Sequence, residues 1–396
     1  MNRIITLFAV ALLSGGVSAS PPITLVPVPV ANPEFDAARG GWNLSEETGA
    51  RYWSPAEHGL SATEEWYQGE VAFLPSKSGA TASMEIPGPV IAEGGVHRIA
   101  FVLARWGPDR ARVRVSIVDV DGRTLVEAPP VEAGLWKRCF VDLDVPATSK
   151  AEDGCRLVFR STGVGDDEDE DERESGAGTE TAILLDKVSI ARLATDGAGF
   201  KSLFNGRTLE GWVGNTEGYG VEDGAIRTYP ERAGGDLRTV EEYDDFVFRF
   251  DFKIPSGANN GIAIRAPLTG DAAYVGMEVQ VLDNAAPGYA GLKDWQRHGS
   301  IYGIAPSLRG YQVPTGSWNH EEIRVEGRRV RVTLNGVVIT DVDLDEAVAN
   351  GTLSGAEHPG VDRRTGHLGF CGHGAVVHYK DLRVKRISGA ERPNEG

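Results

Sequence analysis

Short runs of alternating apolar and polar residues constrain the fold of this chain more than any other feature. The run "DFVFRFDFKI" (245–254) sets four phenylalanines at every second position. Successive side chains of a strand point to opposite faces, so such a run buries one face of a strand. Similar runs are "HRIAFVLARW" (97–106) and "ARVRVSIVDV" (111–120), and 50 glycines and 21 prolines supply turns between them. The pattern predicts an all-β protein.

The strands are predicted to form two β-sandwich (jelly-roll) domains, because 396 residues are enough for two hydrophobic cores. The first covers residues 32–194, and its "NPEFDAARGGW" and "LLDKVSI" weakly resemble the galactose-binding-like jelly rolls of carbohydrate-binding modules. "ATDGAG" (194–199) is interpreted as a linker, and the second domain covers residues 200–388. In that domain Asn335-Gly336 predicts a type I′ hairpin turn.

The charge of the chain argues against a nucleic-acid partner. With 57 acidic and 40 basic residues the net charge is −17, and no basic stripe is evident in the sequence. Part of the excess lies in "GDDEDEDERESG" (165–176), which is predicted to be a solvated insertion. No glycine-rich nucleotide loop follows a strand, so no nicotinamide or flavin cofactor is expected.

The N-terminus predicts export. Arg3, the apolar run "IITLFAVALL" (4–13) and the small residues "VSA" (17–19) have the layout of a signal peptide over residues 1–19. The apolar run is too short to span a bilayer, and no second candidate occurs. The mature protein is expected to be periplasmic or extracellular.

Cys139 and Cys155 share strand parity with apolar residues and are both predicted to point toward a core. An oxidising compartment permits a disulfide between them, and two buried free thiols explain the pattern equally well. The sequence leaves both alternatives open. Cys371 has no predicted disulfide partner.

The stretch "MEVQVLDN" (277–284) carries the most informative polar residues. In a regular strand Glu278 and Gln280 share one face, whereas Asp283 falls on the other. The consecutive Val281 and Leu282 suggest a β-bulge that would return Asp283 to the face of Glu278. Two carboxylates would then flank one amide on a single surface, and the alternative is an ordinary solvent-facing strand.

Three further stretches supply candidate site residues. "NNGIAIRAP" (259–267) contains Asn260 and an arginine, Arg265, that shares strand parity with Ala263. "WQRHGSIYG" (295–303) contains His298 and Tyr302, and "GFCGHGAVVHY" (369–379) sets His373 between glycines. A histidine can be a proton carrier or a hydrogen-bonded structural residue, and parity alone leaves both open.

Five blocks together resemble the 3-keto-disaccharide hydrolase family: "GANNGIAIRA", "MEVQVLDN", "HGSIYG", "GSWNHEEIRVEGRRVRVTLNGVVI" and "GHLGFCGHGAVVHYKDLRVKRI". They occur in the order of that family and cover roughly residues 200–388. The resemblance implies a concanavalin A-like or glucanase-like jelly roll. It also implies cleavage of glycosides whose sugar has been oxidised to a ketone at its third carbon.

The implied chemistry requires a base, a donor to the enolate oxygen and an acid for the leaving group. We expect Glu278 or His298 to be the base. His373 or Asp283 is expected to protonate the leaving group or to have an orienting role. Arg265 and Gln280 are expected to hold the carbonyl oxygen. Tyr302 and Asn260 are further expected substrate contacts. An oxidoreductase acting on the third carbon would supply the substrate.

Two alternatives come from other functional classes. A conventional retaining glycosidase requires two carboxylates about 5 Å apart, here Glu278 and Asp283. A non-catalytic carbohydrate-binding protein would bind through tryptophan and tyrosine instead. A divalent metal is chemically possible with histidine, glutamate and aspartate, but no HExxH-like spacing indicates one.

Overall fold

The computed structural model describes residues 23–28, 41–55, 70–76, 79–86, 91, 93–147, 154–162, 181–229, 231 and 235–387. They form four antiparallel sheets with two short α-helices, which confirms the predicted all-β class. The predicted signal peptide and the acidic segment 165–176 lie outside the described residues. No described helix is long and apolar enough to cross a membrane.

The first half of the chain forms two facing sheets. One has the order β10-β6-β12-β4-β3 with β1 added to β12, and the other has the order β2-β5-β11-β7-β8 with β9 added to β7. The strands are β1 (Ile23–Val28), β2 (Trp42–Leu44), β3 (Arg51–Trp53), β4 (Val71–Pro75), β5 (Thr81–Ile86), β6 (Gly95–Trp106), β7 (Ala111–Asp119), β8 (Thr124–Glu127), β9 (Val131–Ala133), β10 (Lys137–Val145), β11 (Cys155–Thr162) and β12 (Ala182–Thr195). Phe101, Leu103 and Phe159 are fully buried in their shared core.

The second half forms another pair of sheets. One has the order β15-β16-β25-β18-β21-β22-β23 with β13 added to β25, and the other has the order β14-β17-β24-β19-β20. The elements are β13 (Lys201–Ser202), β14 (Trp212–Gly214), β15 (Tyr219–Glu222), β16 (Ala225–Thr228), β17 (Gly235–Tyr243), β18 (Phe246–Lys253), β19 (Asn259–Ala266), α1 (Ala272–Val275), β20 (Met277–Leu282), β21 (Asn319–Glu326), β22 (Arg329–Leu334), β23 (Val337–Asp343), α2 (Leu344–Val348), β24 (Gly366–Gly372) and β25 (His378–Arg386).

The core of this second sandwich follows from the alternation in β18. Phe246, Phe248, Phe250 and Phe252 are all fully buried in one apolar cluster between the two sheets. Burying each aromatic side chain contributes roughly 1.5–3 kcal/mol relative to exposure, so β18 anchors the fold.

The predicted hairpin turn is also confirmed. Asn335 and Gly336 both have positive φ, 50° and 85°, and Leu334 pairs with Val337 across a two-residue loop. Positive φ at both central residues defines the type I′ turn.

The two sandwiches contact each other through buried cations. Arg138 of β10 donates a hydrogen bond of 3.0 Å to the carbonyl of Gly310, and Lys187 of β12 donates one of 2.7 Å to the carbonyl of Arg309. The Arg138 guanidinium also lies 4.8 Å from the ring centroid of Tyr311. Buried cations need partners, and here the backbone of the other sandwich supplies several of them.

All three cysteines are free thiols. Cys139 lies on β10 and Cys155 on β11, in different sheets. Of the two alternatives left open by the sequence, the structure has the free thiols.

Candidate active site

Three adjacent strands place the candidate residues. β19 lies between β24 and β20, and Gly261 of β19 pairs with Cys371 of β24 on one side and Gln280 of β20 on the other. The core-facing positions of β20 are Met277, Val279 and Val281. Strict alternation therefore turns Glu278 and Gln280 to the opposite face of the sheet, as predicted.

Gly261 leaves the space that the Glu278 carboxylate occupies. A Cβ atom at Gly261 would overlap the Glu278 Oε1 atom. From there Glu278 Oε1 reaches His373 Nε2 at 3.3 Å, across the width of β19. His373 directly follows the last residue of β24. The pair therefore links β20 to the end of β24, with β19 lying between them.

Burial and the hydrogen bond between the two groups shift the pKa of both members of this pair. Glu278 is 4 % exposed, and burial raises the pKa of its carboxyl, opposed in part by the hydrogen bond to His373. The same hydrogen bond raises the pKa of the His373 imidazole, against burial. His373 is 43 % exposed at its side chain, so it lies where a ligand can reach it. A carboxylate beside an imidazolium is a suitable base and acid pair.

A pocket of about 260 Å³ opens over these residues. Its volume is slightly below the range of about 300–1,000 Å³ common for small-molecule sites, which favours a small ligand. Its lining comprises Asn259, Asp271, Ala273, Tyr274, Glu278, Gln280, Leu282, Tyr289, Leu292, Gln296, Tyr302 and His373.

The segment "HGSIYG" reaches the pocket because it pairs with the free edge of β20. Gln280 N donates to the carbonyl of Ser300 at 3.0 Å, and Tyr302 N donates to the carbonyl of Glu278 at 2.9 Å. The Tyr302 ring packs edge-on against Trp295 at 5.2 Å between centroids. This pairing brings Tyr302 into the lining beside Glu278, and its contact with a substrate stays a prediction.

Two side-chain amides of the pocket have an oxygen atom that accepts no hydrogen bond from a described residue. Gln280 Oε1 and Asn259 Oδ1 are buried and have no hydrogen-bond partner among the described residues. Orphaned buried polar atoms are uncommon in native proteins and point to a ligand or an ordered water. Sugar hydroxyls would satisfy both.

The prediction that Arg265 holds a substrate carbonyl is wrong. Arg265 has a positive φ of 47°, and the register of β19 with β24 shifts between Ala263 and Ala266. This irregularity breaks the alternation that the prediction assumed. The buried guanidinium instead contacts Asp245 at 2.9 Å and donates to the carbonyl of Gly327 at 2.9 Å.

The predicted bulge at residues 281–282 is absent, and Asp283 lies outside the pocket. β20 pairs with β19 without a register shift from Met277 to Leu282, so Leu282 takes the pocket face. Asp283 instead accepts a hydrogen bond of 2.8 Å from the backbone of Gly257. Its role is to hold a turn.

Asn260 and His298 are also corrected to structural roles. Asn260 faces the core, where its Oδ1 accepts a hydrogen bond of 2.7 Å from the Tyr379 hydroxyl. His298 is 1 % exposed, and its Nε2 lies 3.1 Å from Glu321 Oε2, with the Phe252 ring 5.1 Å away. Neither residue lines the pocket, because each occupies the core side of its segment.

Sequence reasoning missed Asn259, Asp271 and Tyr274. Asn259 shares parity with Gly261, so the strand period was a usable signal for choosing it over Asn260. Asp271 caps α1, accepting from Ala273 N at 3.0 Å, and the Tyr274 ring lies tilted against His358 with 4.8 Å between the ring centroids. These two come from a helix of four residues whose position over the strands has no periodic signature.

Replacing Gly261 with alanine is expected to lower turnover by about 100-fold, because the added Cβ displaces the Glu278 carboxylate by about 1 Å or more. Steady-state kinetics on a 3-keto glucoside, the substrate that the family resemblance implies, measures this. Gly134→Ala is the matched control, since nothing lies within 4 Å of a Cβ there. Full activity in Gly261→Ala would contradict the assigned position of Glu278.

Among the described residues, no group of three or more histidine, cysteine, aspartate or glutamate side chains is arranged to hold a metal ion. The pocket combines a proton-transferring pair, Glu278 and His373, with side-chain amide groups. The site occupies one face of a jelly-roll sheet, an arrangement found in proteins that act on or bind carbohydrates.

Comparison with known proteins agrees with this class. Residues 199–385 match the model of the 3-keto-alpha-glucoside-1,2-lyase-like domain family, which confirms the resemblance of the C-terminal domain. A 3-keto-disaccharide hydrolase of Bacteroides thetaiotaomicron is 26 % identical over 237 residues, covering 49 % of this chain and 80 % of the relative. At the level of the family, these matches support a hydrolase.

Two crystal structures of candidate glycosyl hydrolases from Parabacteroides distasonis are also similar. One is 24 % identical with a TM-score of 0.43 and covers 48 % of this chain and 99 % of its own. The other is 27 % identical with a TM-score of 0.42 and covers 48 % and 94 %.

Proposed function

We propose that this protein cleaves the glycosidic bond of 3-keto glycosides by removing the hydrogen on the second carbon of the oxidised sugar. The observation that carries the proposal is the buried Glu278 carboxylate paired with His373 on the floor of the pocket. The names of the matched family and of the Bacteroides relative support the substrate class.

The ketone allows side chains to promote the reaction by accepting and donating protons. It acidifies the hydrogen on the second carbon, and Glu278 accepts that proton. The electron pair moves into the ketone as an enolate, which then collapses and expels the substituent from the first carbon. His373 donates a proton to the departing oxygen.

The Gln280 amide and the Tyr302 hydroxyl would hold the ketone oxygen as negative charge develops. Both line the pocket beside Glu278, and Gln280 is 5 % exposed. Donors in a water-poor site stabilise an enolate more strongly than water does, since they are already oriented. Asn259 would accept from a sugar hydroxyl.

The elimination reconciles the two activities named for the relatives. Release of the unsaturated keto sugar after the second step is a lyase reaction, whereas addition of water to its double bond gives net hydrolysis. The same base and acid serve both outcomes. We propose the hydrolytic outcome, with export through the N-terminal segment and an oxidoreductase upstream that forms the 3-keto group.

A conventional retaining glycosidase is less well supported. Its expected second carboxylate, Asp283, lies outside the pocket and holds the Gly257 backbone, and the other carboxylate of the lining, Asp271, caps α1. The pair on the pocket floor is a carboxylate with an imidazole, which suits proton abstraction better than double displacement.

Incubation with a disaccharide and with its 3-keto derivative, each with and without chelator, tests the proposal. Cleavage of the 3-keto derivative alone, unchanged by chelator, is the expected result. Equal cleavage of the unoxidised disaccharide would favour the conventional glycosidase. Binding of either sugar with no product would favour a carbohydrate-binding protein.

The pH profile of kcat/KM is expected to be bell-shaped. Activity falls at low pH as Glu278 is protonated, at a pKa above its ordinary value, and at high pH as His373 loses its proton, also above its ordinary value. In His373→Gln the alkaline limb disappears. The acid limb moves to higher pH, because the pairing that opposed burial is lost. An acid limb left at its original pH would contradict the pairing.

A further inference from the structure

The outward face of one N-terminal sheet carries an arginine-lined groove of about 520 Å³. It runs across β5, β11, β7 and β8, on the side of the sheet away from the apolar core. Three arginines line it, Arg114, Arg156 and Arg160, together with several serine and threonine hydroxyls. The chain has a net charge of −17, whereas the lining of this groove has more positive than negative side chains.

The strand register places two of these arginines directly opposite each other. Arg160 of β11 pairs with Arg114 of β7, so their side chains leave neighbouring strands at the same level of one face. Like charges at opposite positions destabilise a sheet. A ligand that supplies negative charge between them would remove that cost.

Among the described residues, the lining carries three guanidinium groups and one carboxylate, Glu127, and Glu85 lies opposite Arg156 in the register of β5 and β11. Arg114 contacts Glu127 at 2.8 Å, yet its Nε is buried without a hydrogen-bond partner among the described residues. Neither Arg156 nor Arg160 forms an ion pair with a described residue; Arg156 extends over the turn at Gly122, where an added Cβ would lie 3.7 Å from its Nη2. Arg156 and Arg160 are four residues apart on β11, about 13 Å along the strand.

The chemistry of the lining defines the ligand class. Guanidinium groups pair with carboxylates in a planar, two-bonded geometry. Ser83, Ser116 and Thr124 lie on the same face and can hydrogen-bond sugar hydroxyls. None of the described residues that line the groove is an aromatic residue that could stack on a neutral ring. Repeated carboxylates and hydroxyls on one chain are the pattern of a polyuronate.

We propose that the N-terminal sandwich binds a uronate-containing polysaccharide in this groove, independently of the reaction at Glu278. The groove would hold the protein on an acidic polymer. The active-site residues all lie in the other sandwich, so binding and turnover are separable.

Calorimetric titration of the full-length protein with polygalacturonate, neutral galactan and dextran sulfate, at low and moderate salt, tests the proposal. Polygalacturonate should bind tightest, and its affinity should fall as salt rises. The double variant Arg156→Gln/Arg160→Gln should weaken that binding by at least about tenfold through loss of charge-assisted hydrogen bonds. Arg105→Gln, an exposed arginine on β6 of the other sheet, should bind as the parent does.

Turnover of the 3-keto glucoside should be unchanged in both variants, and their melting temperatures should show that they are folded. Equal binding of galactan, tighter binding of dextran sulfate, or no binding of polygalacturonate would each overturn the proposal. So would polygalacturonate binding that appears only after deletion of residues 165–176, since the groove would then be assigned to the acidic segment of the chain itself.

Discussion

Glu278→Gln is expected to lower kcat on a 3-keto glucoside by about 10²–10⁴-fold, the usual contribution of a positioned general base. Glutamine keeps the shape of the side chain above Gly261 and can still contact His373, but it cannot accept the proton from the second carbon. The substrate should still bind, because the pocket wall is unchanged. The measurement is single-turnover kinetics with saturating enzyme, which separates chemistry from binding.

Asp283→Asn is the matched control for this loss. It makes the same change of carboxylate to amide at the end of the same strand, outside the pocket. Its turnover should stay within a few-fold of the parent. Equal losses in the two variants would show that Glu278 acts on the fold rather than on the substrate.

His298→Ala is expected to lower the free energy of unfolding by about 3–5 kcal/mol. The substitution removes the imidazole whose Nε2 lies 3.1 Å from Glu321 Oε2, a close contact without hydrogen-bond geometry, and no other described group hydrogen-bonds this carboxylate, which is 0 % exposed at its side chain. Breaking a buried charged or polar pair from one side is costly because the remaining group stays buried and unpaired. Denaturant unfolding monitored by tryptophan fluorescence measures the change.

The control for this loss is His378→Ala. His378 Nε2 lies 3.2 Å from Glu222 Oε1, but that glutamate is 50 % exposed at its side chain, so the change should cost less than about 1 kcal/mol. Per folded molecule, His298→Ala should keep most of its turnover. A variant that unfolds normally but is inactive would restore His298 as a candidate base.

The strand period predicted the fold and the shared face of Glu278 and Gln280. Alternation in β18 identified the buried phenylalanines, and parity in β20 turned Glu278 and Gln280 to one face. These predictions succeeded because a regular strand converts sequence spacing directly into side-chain direction.

The errors arose where the backbone departs from that period. The positive φ of Arg265 turns its side chain away from the pocket, and the expected bulge before Asp283 does not form. The meeting of Glu278 with His373 depends on strand order and on the empty volume at Gly261, and neither is visible in local sequence. The position of Asp271 in the pocket depends on where the short helix α1 lies over the strands.

The position of hydrogen in the product shows whether Glu278 removes the hydrogen on the second carbon. Cleavage of a 3-keto glucoside is run in D₂O, and the released keto sugar is assigned by NMR, with the product alone incubated in parallel to measure spontaneous exchange. Proton abstraction by Glu278 predicts loss of the original hydrogen from the second carbon, either as an unsaturated sugar or replaced by solvent deuterium, and no such loss with Glu278→Gln. Cleavage that keeps the original hydrogen on the second carbon would contradict it.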